Sequence, residues 1–372
     1  MKTLRRLIYL EILVAVGFVL LSFVSLFVFF DLVDELPALG KAAAGSAESV
    51  YKLRHAFAYV VLLVPNRLYE LMPIAVLIGS VFVLTRFAQS SEYTILRTSG
   101  LGPWRALRTL LALGAGFVVL TFVLGDYLAP YADRQAQMLK AHFQGRISVG
   151  QTGAWLREKQ ATNLFSVNVG ALDANSRLRD IRLFRFNAQG QIDATLQAES
   201  GDIGPGDQWQ LHNVLMRDMT GNHQTPPRIE QVRLPEFTWP TTLTAEMVSV
   251  ALLNPERMRT LDLFNYINHL EANNQTAQRY EIEFWRKVFY PLSCLVMVVL
   301  ALPFAYLHFR SGGVAGYVFL GVMIGISFFL LNNVFGYIGN LRAWEPWLAA
   351  ASPALLYTVA SLGAFGWLVL RR

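Results

Sequence analysis

Residues 7–30 form an almost unbroken apolar run in which Glu11 is the only charge. Coiled as a helix, 24 residues reach roughly 36 Å, enough to cross a hydrocarbon core of about 30 Å. A cleaved signal peptide would need a shorter apolar core and a small-residue cleavage site, which Phe27, Val28, Phe29 and Phe30 do not supply. Five more runs follow. The second ends at Leu84 and begins between Val60 and Leu68; the others are about 107–124, 288–309, 313–335 and 347–370. Pro73, Pro291 and Pro303 are compatible with such helices, because neighbouring helices can satisfy the freed backbone groups. The chain is 54% hydrophobic and only 16% charged, against about 25% charged in an ordinary soluble domain. That excludes a disordered chain and argues against a cytosolic enzyme. The single cysteine, Cys294, excludes an intramolecular disulfide framework and a thiolate zinc cluster.

Six spans place Lys2, Arg5, Arg6, Arg86, Arg97, Arg105, Arg108, Arg310, Arg371 and Arg372 on one side, with Glu92 the only acid outside the spans there. The first loop on the other side mixes Asp31, Asp34, Glu35 and Glu48 with Lys41, Lys52 and Arg54. The positive-inside rule then puts both termini in the cytoplasm and residues 126–283 outside. That large segment holds 15 basic and 18 acidic residues, so the whole chain's charge of +6 comes from the membrane part. The basicity is a topology signal and not the footprint of a nucleic-acid partner.

Residues 126–257 read as all-β. Ile192, Ala194, Leu196 and Ala198 alternate with Asp193, Thr195, Gln197 and Glu199, and Phe165, Val167 and Val169 alternate with Ser166 and Asn168. A period of two marks half-buried strands. Residues 187–190 read as a hairpin turn, and 154–158, 178–186, 209–217 and 228–237 as further strands. Short strands at this spacing predict a sandwich, a jelly roll or an open barrel. From Met258 to about Tyr280 the pattern is helical, with Leu261, Phe264, Ile267 and Leu270 on one face, leading into the fourth span.

Catalytic signatures are missing. There is no G-x-x-x-x-G-K-[ST], no H-E-x-x-H and no G-x-S-x-G, and the six histidines are scattered. The later apolar runs carry no mid-span charge to suggest a proton relay. An energy source, if one is needed, belongs to another chain.

Between spans two and three, Ser90 can cap a helix starting at Ser91, Glu92 then lies in its first turn, and Gly100 is a C-terminal stop with Pro103 beyond. Such a segment is either a docking helix or a surface connector. Phe23, Phe27 and Phe30 share one side of span one. That aromatic face either lines a cavity for acyl chains or packs against lipid and neighbouring helices.

The stretch LTRFAQSSEYTILRTSGLGPWR (84–105) and the stretch NYINHLEANNQTAQRYEIEFWRKVFYPLSCLVMVVLALPFAY (265–306) resemble the permease family containing LptF and LptG, as does Pro73 within span two. The resemblance covers the whole chain. The Glu92 segment and the stretch from Tyr280 through Trp285, Arg286 and Lys287 to Pro291 look closer to the LptG branch.

The resemblance implies a membrane protein of six transmembrane α-helices, three plus three, with an inserted all-β periplasmic β-jellyroll. The implied domains are spans one to three (1–125), the jellyroll (126–257), a periplasmic helical connector (258–283) and spans four to six (284–372). It implies one permease subunit of an ABC transporter that moves lipopolysaccharide from the bacterial inner membrane to a periplasmic bridge. The implied partners are an LptF-like permease subunit, an LptB-like ATPase dimer that uses ATP and Mg, and LptC-like and LptA-like jellyroll proteins. This chain itself would hold no cofactor and catalyse no reaction. The family's coupling helix falls on residues 86–100, with Arg86, Ser90, Ser91, Glu92, Leu96, Arg97 and Gly100 as its marked positions. Phe23, Phe27, Phe30, Gly316 and Gly321 would face the lipid cavity. Asp31, Asp34 and Glu35 stand where relatives can carry a basic residue, which leaves Lys41, Lys52, Arg54 and Arg67 as candidate phosphate contacts. Arg67 can also pair with Glu70 one turn on. Phe165, Val167, Ile192 and Leu196 either line a jellyroll groove or form the domain's core. The competing expectation is a mechanotransmission or scaffold subunit that passes no lipid; a mechanotransmission subunit usually has four spans, so the count of six discriminates against it.

Overall fold

A computed structural model describes residues 2–40, 42–43, 46–89, 103–144, 153–160, 163–172, 177–187, 189–204, 208–220, 228–244, 247–248, 255–273, 275–306 and 314–370. The chain divides into two compact units. The first comprises residues 1–34, 60–132 and 278–372; the second comprises 35–59 and 133–277.

Among the described residues, six helices are long and apolar enough to cross a membrane. They are built from α1 (Lys2–Glu35), α2 (Leu53–Gln89), α3 (Pro103–Val123) continuing into α4 (Ala129–Gln144), α6 (Gln278–Ala301), α7 (Val314–Leu341) and α8 (Pro346–Leu370). The third is longer than its apolar run. A π-helical turn at Leu124–Leu128 joins α3 to α4 without a break, and Pro130, which has no N–H to donate, follows it as the second residue of α4. Pro303 converts the end of the fourth span into a 3-10 turn, Leu302–Tyr306. Pro346 opens α8 as its first helical residue, which suits its fixed φ.

The second span is the hub of the first unit. Of its most apolar window 83% is buried, against 17% for the first and the fifth spans. Ile8, Ile12 and Val16, four residues apart, form the inner face of α1. They join Met72, Val76, Val83 and Phe87 of α2, Leu110 and Phe117 of α3, and Met297 and Val298 of α6 in one core. Outside that inner face α1 carries many exposed apolar side chains, and so does α7 apart from the buried Phe328, so these two helices present apolar surface to lipid or to another chain.

In the second unit, β3 (Ala154–Gln160), β4 (Asn163–Leu172), β5 (Leu178–Phe186), β6 (Ile192–Gly204), β7 (Gln208–Thr220) and β8 (Arg228–Pro240) form one antiparallel sheet in chain order. Asn187 and Gly190 turn β5 into β6; the Gly190 N–H donates to Asn187 O, and Gly190 takes φ +76°, a conformation glycine adopts without strain. The register aligns two apolar rows. Val167 faces Leu183, which faces Leu196, which faces Met216. Val169, Ile181, Ala198, Val214 and Leu234 form the second row. Period-two alternation on each strand thus becomes a continuous apolar face, buried except at Met216 and Leu234, which are half-buried. The sheet curls until its outer strands approach. The Gln160 side chain donates to Pro240 O at 2.7 Å, and the buried Glu158 carboxylate accepts from Thr241 Oγ1, Thr242 N and Thr242 Oγ1 at 2.6, 2.7 and 2.9 Å. Trp209, fully buried, donates its indole N–H to Leu243 O at 2.8 Å.

The expected helix from Met258 to about Tyr280 is two helices. α5 (Thr260–Ala272) stops where Asn273 turns its N–H and its side chain back onto His269 O, and α6 starts only at Gln278. The buried face of α5 is Leu263, Tyr266, Ile267 and Leu270; Leu261 and Phe264 are exposed, so the apolar stripe is rotated from the expected one. The same unit holds a short hairpin, β1 (Ala42–Ala43) with β2 (Ser46–Val50). Beside it the Glu35 carboxylate accepts from Lys140 Nζ at 2.6 Å and from Tyr51 Oη at 3.3 Å.

Candidate functional site

In the membrane unit, two polar constellations interrupt the apolar helices, and each ties α1 to α2. At one end Arg86, in the last turn of α2, reaches Glu11 of α1, with Nη2 2.8 Å from the carboxylate. The pair caps a cavity of about 690 Å³ whose walls include Val14 and Phe18 of α1, Phe82 of α2 and Val318 of α7. Of the expected coupling positions, Arg86 is therefore paired with a residue of span one, while Ser90, Ser91, Glu92, Leu96, Arg97 and Gly100 lie outside the described residues.

The second constellation gathers around Arg67. Its Nη2 and Nε donate to the two oxygens of Asp31 at 2.8 and 3.2 Å, Nη1 reaches Glu70 at 3.4 Å, and the guanidinium lies 5.0 Å from the centroid of the Phe27 ring. The Glu70 contact is the one that the helical spacing suggests. Asp31, 36 positions back, is the closer partner, and no local spacing rule could have found it. Phe27 is thus a platform for Arg67 as well as a member of the aromatic face. Phe23 is half-buried, and Phe30 is 54% exposed with its ring edge-on to Phe29 at 5.6 Å.

The other candidate positions are more dispersed. Gly321 makes ordinary contact with Val81, at 3.6 Å from where a Cβ would sit, but a Cβ at Gly316 would meet nothing within 4 Å. No helix therefore approaches closely at Gly316. Close approach of α7 to α2 is found at Gly325, where a Cβ would stand 2.9 Å from Ile74. Lys41 lies outside the described residues. Lys52 and Arg54 are exposed and meet His55, through the Lys52 backbone N–H and through Arg54 Nε, each at 3.1 Å. In the sheet, Val167 and Leu196 are buried core, Phe165 is half-buried with its ring 5.7 Å from that of Trp239, and Ile192 is exposed.

One further cluster is invisible in the sequence pattern. Lys287, buried in α6, donates from Nζ to Gly125 O at 3.2 Å and lies 6.0 Å from the centroid of the Tyr69 ring. The π turn explains the arrangement. It sets Gly125 against the face of Tyr69, which leaves no room for a Cβ, and it turns a carbonyl towards α6. Tyr290 Oη, one turn beyond Lys287, donates to Glu70 O at 2.5 Å. The only sequence hint is a Gly-Asp pair (Gly125-Asp126) at the end of an apolar run, paired with Arg286-Lys287 at the start of another.

Among the described residues, six apolar helices, three before and three after an antiparallel β domain in the sequence, are consistent with a multi-span membrane permease with a β insert. The family model of the lipopolysaccharide export system permeases LptF/LptG matches residues 6–371, and the chain belongs to that family. It is 28% identical to the lipopolysaccharide export system permease protein LptG of Escherichia coli strain K12 over 372 residues, covering 99% of this chain and 98% of that protein. It is 26% identical to LptG of Haemophilus influenzae over 380 residues, covering 100% of this chain and 99% of that protein.

Proposed function

We propose that this chain is the LptG-type half of a heteromeric permease that lifts lipopolysaccharide out of the inner membrane and delivers it to a periplasmic bridge of β proteins. The observation that carries the reading is the family match from residue 6 to residue 371, spanning all six apolar helices and the β insert. Its partners are an LptF-like second permease subunit, an LptB-like ATPase dimer that binds ATP and Mg, and LptC-like and LptA-like periplasmic proteins. Both termini are cytoplasmic and the β domain is periplasmic, in keeping with the excess of Lys and Arg at the ends of the spans.

In this mechanism ATP closes the separate ATPase dimer, and the segment 86–100 carries that movement into the spans. Glu92 docks on the ATPase, and Arg86 transmits the displacement to α1 through Glu11. The exposed apolar faces of α1 and α7 border the cavity that admits the lipid sideways. Narrowing of that cavity drives the lipid towards the β domain, where apolar side chains shield its acyl chains.

The test is depletion of the gene combined with a Glu92→Lys variant. Depletion stops newly made lipopolysaccharide from reaching the cell surface. Glu92→Lys leaves the chain in the membrane but abolishes transport-coupled ATP hydrolysis. Normal surface delivery after depletion would reject the reading.

A further inference from the structure

The outer face of the six-stranded sheet is basic, although the segment that carries it is not. Two neighbouring rows cross all six strands there. One row is Trp155, Asn168, Arg182, Gln197, Leu215 and Arg233. The next is Arg157, Ser166, Phe184, Thr195, Arg217 and Gln231. Neither row contains an acid, and among the described residues none of the four arginines is paired with a carboxylate. Arg185, also on β5, is by contrast held by Asp193 and Asp218 at 2.7 and 3.1 Å. Arg182 and Arg233 are exposed, and Arg157 and Arg217 are half-buried. Like charges at neighbouring sheet positions repel, so the cluster does not stabilise the domain. Its surroundings do not favour it either, because residues 126–283 hold 15 basic and 18 acidic residues.

A flat aromatic surface lies among these arginines. The rings of Trp155 and Phe184 stack with centroids 5.8 Å apart and planes 22° from parallel. They meet across β4, where Ser166 and Asn168 are small. Trp155 is nevertheless 51% exposed, so its ring is open to a ligand. Arg217 follows Phe184 in its row after two strand spacings, about 10 Å. Arg217 and Arg233 are diagonal neighbours on β7 and β8, about 7–8 Å apart, close enough for both to grip one anion.

From this placement we propose that the outer face of the sheet binds a phosphorylated saccharide. A pyranose lays its C–H face on the electron-rich face of Trp155, and the guanidinium groups of Arg217 and Arg233 hold a phosphate farther along the chain by paired N–H donors. Arg182 and Arg157 flank the aromatic surface and receive further anionic groups. An acidic protein segment would satisfy the arginines but gives no reason for an open ring in register with them. The saccharide is the sugar portion of the lipopolysaccharide in transit; that assignment of its source rests on the export reading, whereas the chemistry of the face does not.

The experiment is fluorescence anisotropy of a labelled, fully deacylated lipopolysaccharide oligosaccharide that keeps its phosphates. Without acyl chains the probe has no use for an apolar cavity. The full chain is purified in mild detergent with the subunits that accompany it. Arg217→Gln with Arg233→Gln is expected to weaken binding about tenfold, and phosphatase treatment of the probe to weaken it as much. Trp155→Leu is expected to weaken the phosphorylated and the dephosphorylated probe by the same factor, and Trp155→Phe to restore most of the loss. If Trp155→Leu fails to fold, Arg182→Gln, an exposed change in the same row, is expected to weaken only the phosphorylated probe. Unchanged binding in the double arginine variant overturns the proposal. So does equal affinity for the dephosphorylated probe, or displacement by polyglutamate as effective as by the unlabelled oligosaccharide, which would assign the face to an acidic protein. Gene depletion tests the export reading and oligosaccharide binding tests this face, so the two fail separately.

Discussion

Arg67 holds Asp31 through both Nε and Nη2, which fastens the end of α1 to α2 across 36 positions of sequence. The Arg67 side chain is 28% exposed and that of Asp31 only 14%, so neither charge is fully hydrated and each depends on the other. Phe27 closes one face of the guanidinium. Asp31→Ala is therefore expected to destabilise the membrane unit by about 1–3 kcal/mol, the usual range for losing a charge-assisted hydrogen bond. In a double-mutant cycle with Arg67→Ala, followed by thermal unfolding in detergent, the two losses are expected not to add. Additive losses would mean that the contact contributes nothing.

Phe30 is open to its surroundings, while Phe27 lies beneath Arg67. A photocrosslinking amino acid at Phe30 is therefore expected to capture lipopolysaccharide in growing cells, and one at Phe27 to capture less. One at Ile12, five turns earlier on the same helix and fully buried by its neighbours, is expected to capture none. The readout is the crosslinked adduct detected with an antibody to lipopolysaccharide. Adducts of bulk phospholipid alone at Phe30 would assign the aromatic face to helix packing.

Much of this architecture is legible in the chain. β5 starts and ends at the expected residues 178 and 186, because alternation of Leu, Ile and Phe with charged residues leaves a strand little choice of register. The six spans are equally plain, since length and apolarity alone mark them. What was not legible lies at the seams. The extent of the third span depends on a π turn that no periodicity signals. The end of α5 depends on Asn273, one of several polar residues any of which could have stopped a helix. The partners of Arg67, Arg86, Glu158 and Lys287 include groups more than 30 positions away, and such pairs follow from the packing of elements, not from spacing along one of them.

His269, on α5, is held below its ordinary pKa by burial, which the nearby Glu158 carboxylate only partly offsets. The folded domain therefore resists a proton that the unfolded chain accepts near pH 6.5. Over that interval the unfolded state binds more protons than the native one, so stability is fully present above about pH 6.5 and is lost as pH falls through the lower, native value. Unfolding followed by tryptophan fluorescence, with the buried Trp209 as reporter, is expected to show a midpoint that declines below about pH 6.5. His269→Gln is expected to flatten that decline. A midpoint with the same pH dependence in both proteins would assign it to other groups.

Gly125 and Tyr69 meet so closely that a methyl group on the former has nowhere to go. Gly125→Ala therefore has to displace the Tyr69 ring or straighten the π turn, and either change moves the carbonyl that receives Lys287. Overpacking of this kind costs about 1–3 kcal/mol. A smaller ring partner relieves it, so Gly125→Ala combined with Tyr69→Leu is expected to recover much of the loss seen in Gly125→Ala alone. Lys287→Met tests the polar half of the arrangement. It removes the donor to Gly125 O but keeps most of the length of the side chain and its apolar stem. If the π turn exists to receive Lys287, then Gly125→Ala and Lys287→Met lower the thermal midpoint by less together than the sum of their separate effects. If the turn serves only to seat Tyr69, Lys287→Met adds its full cost whether or not Gly125 has been changed.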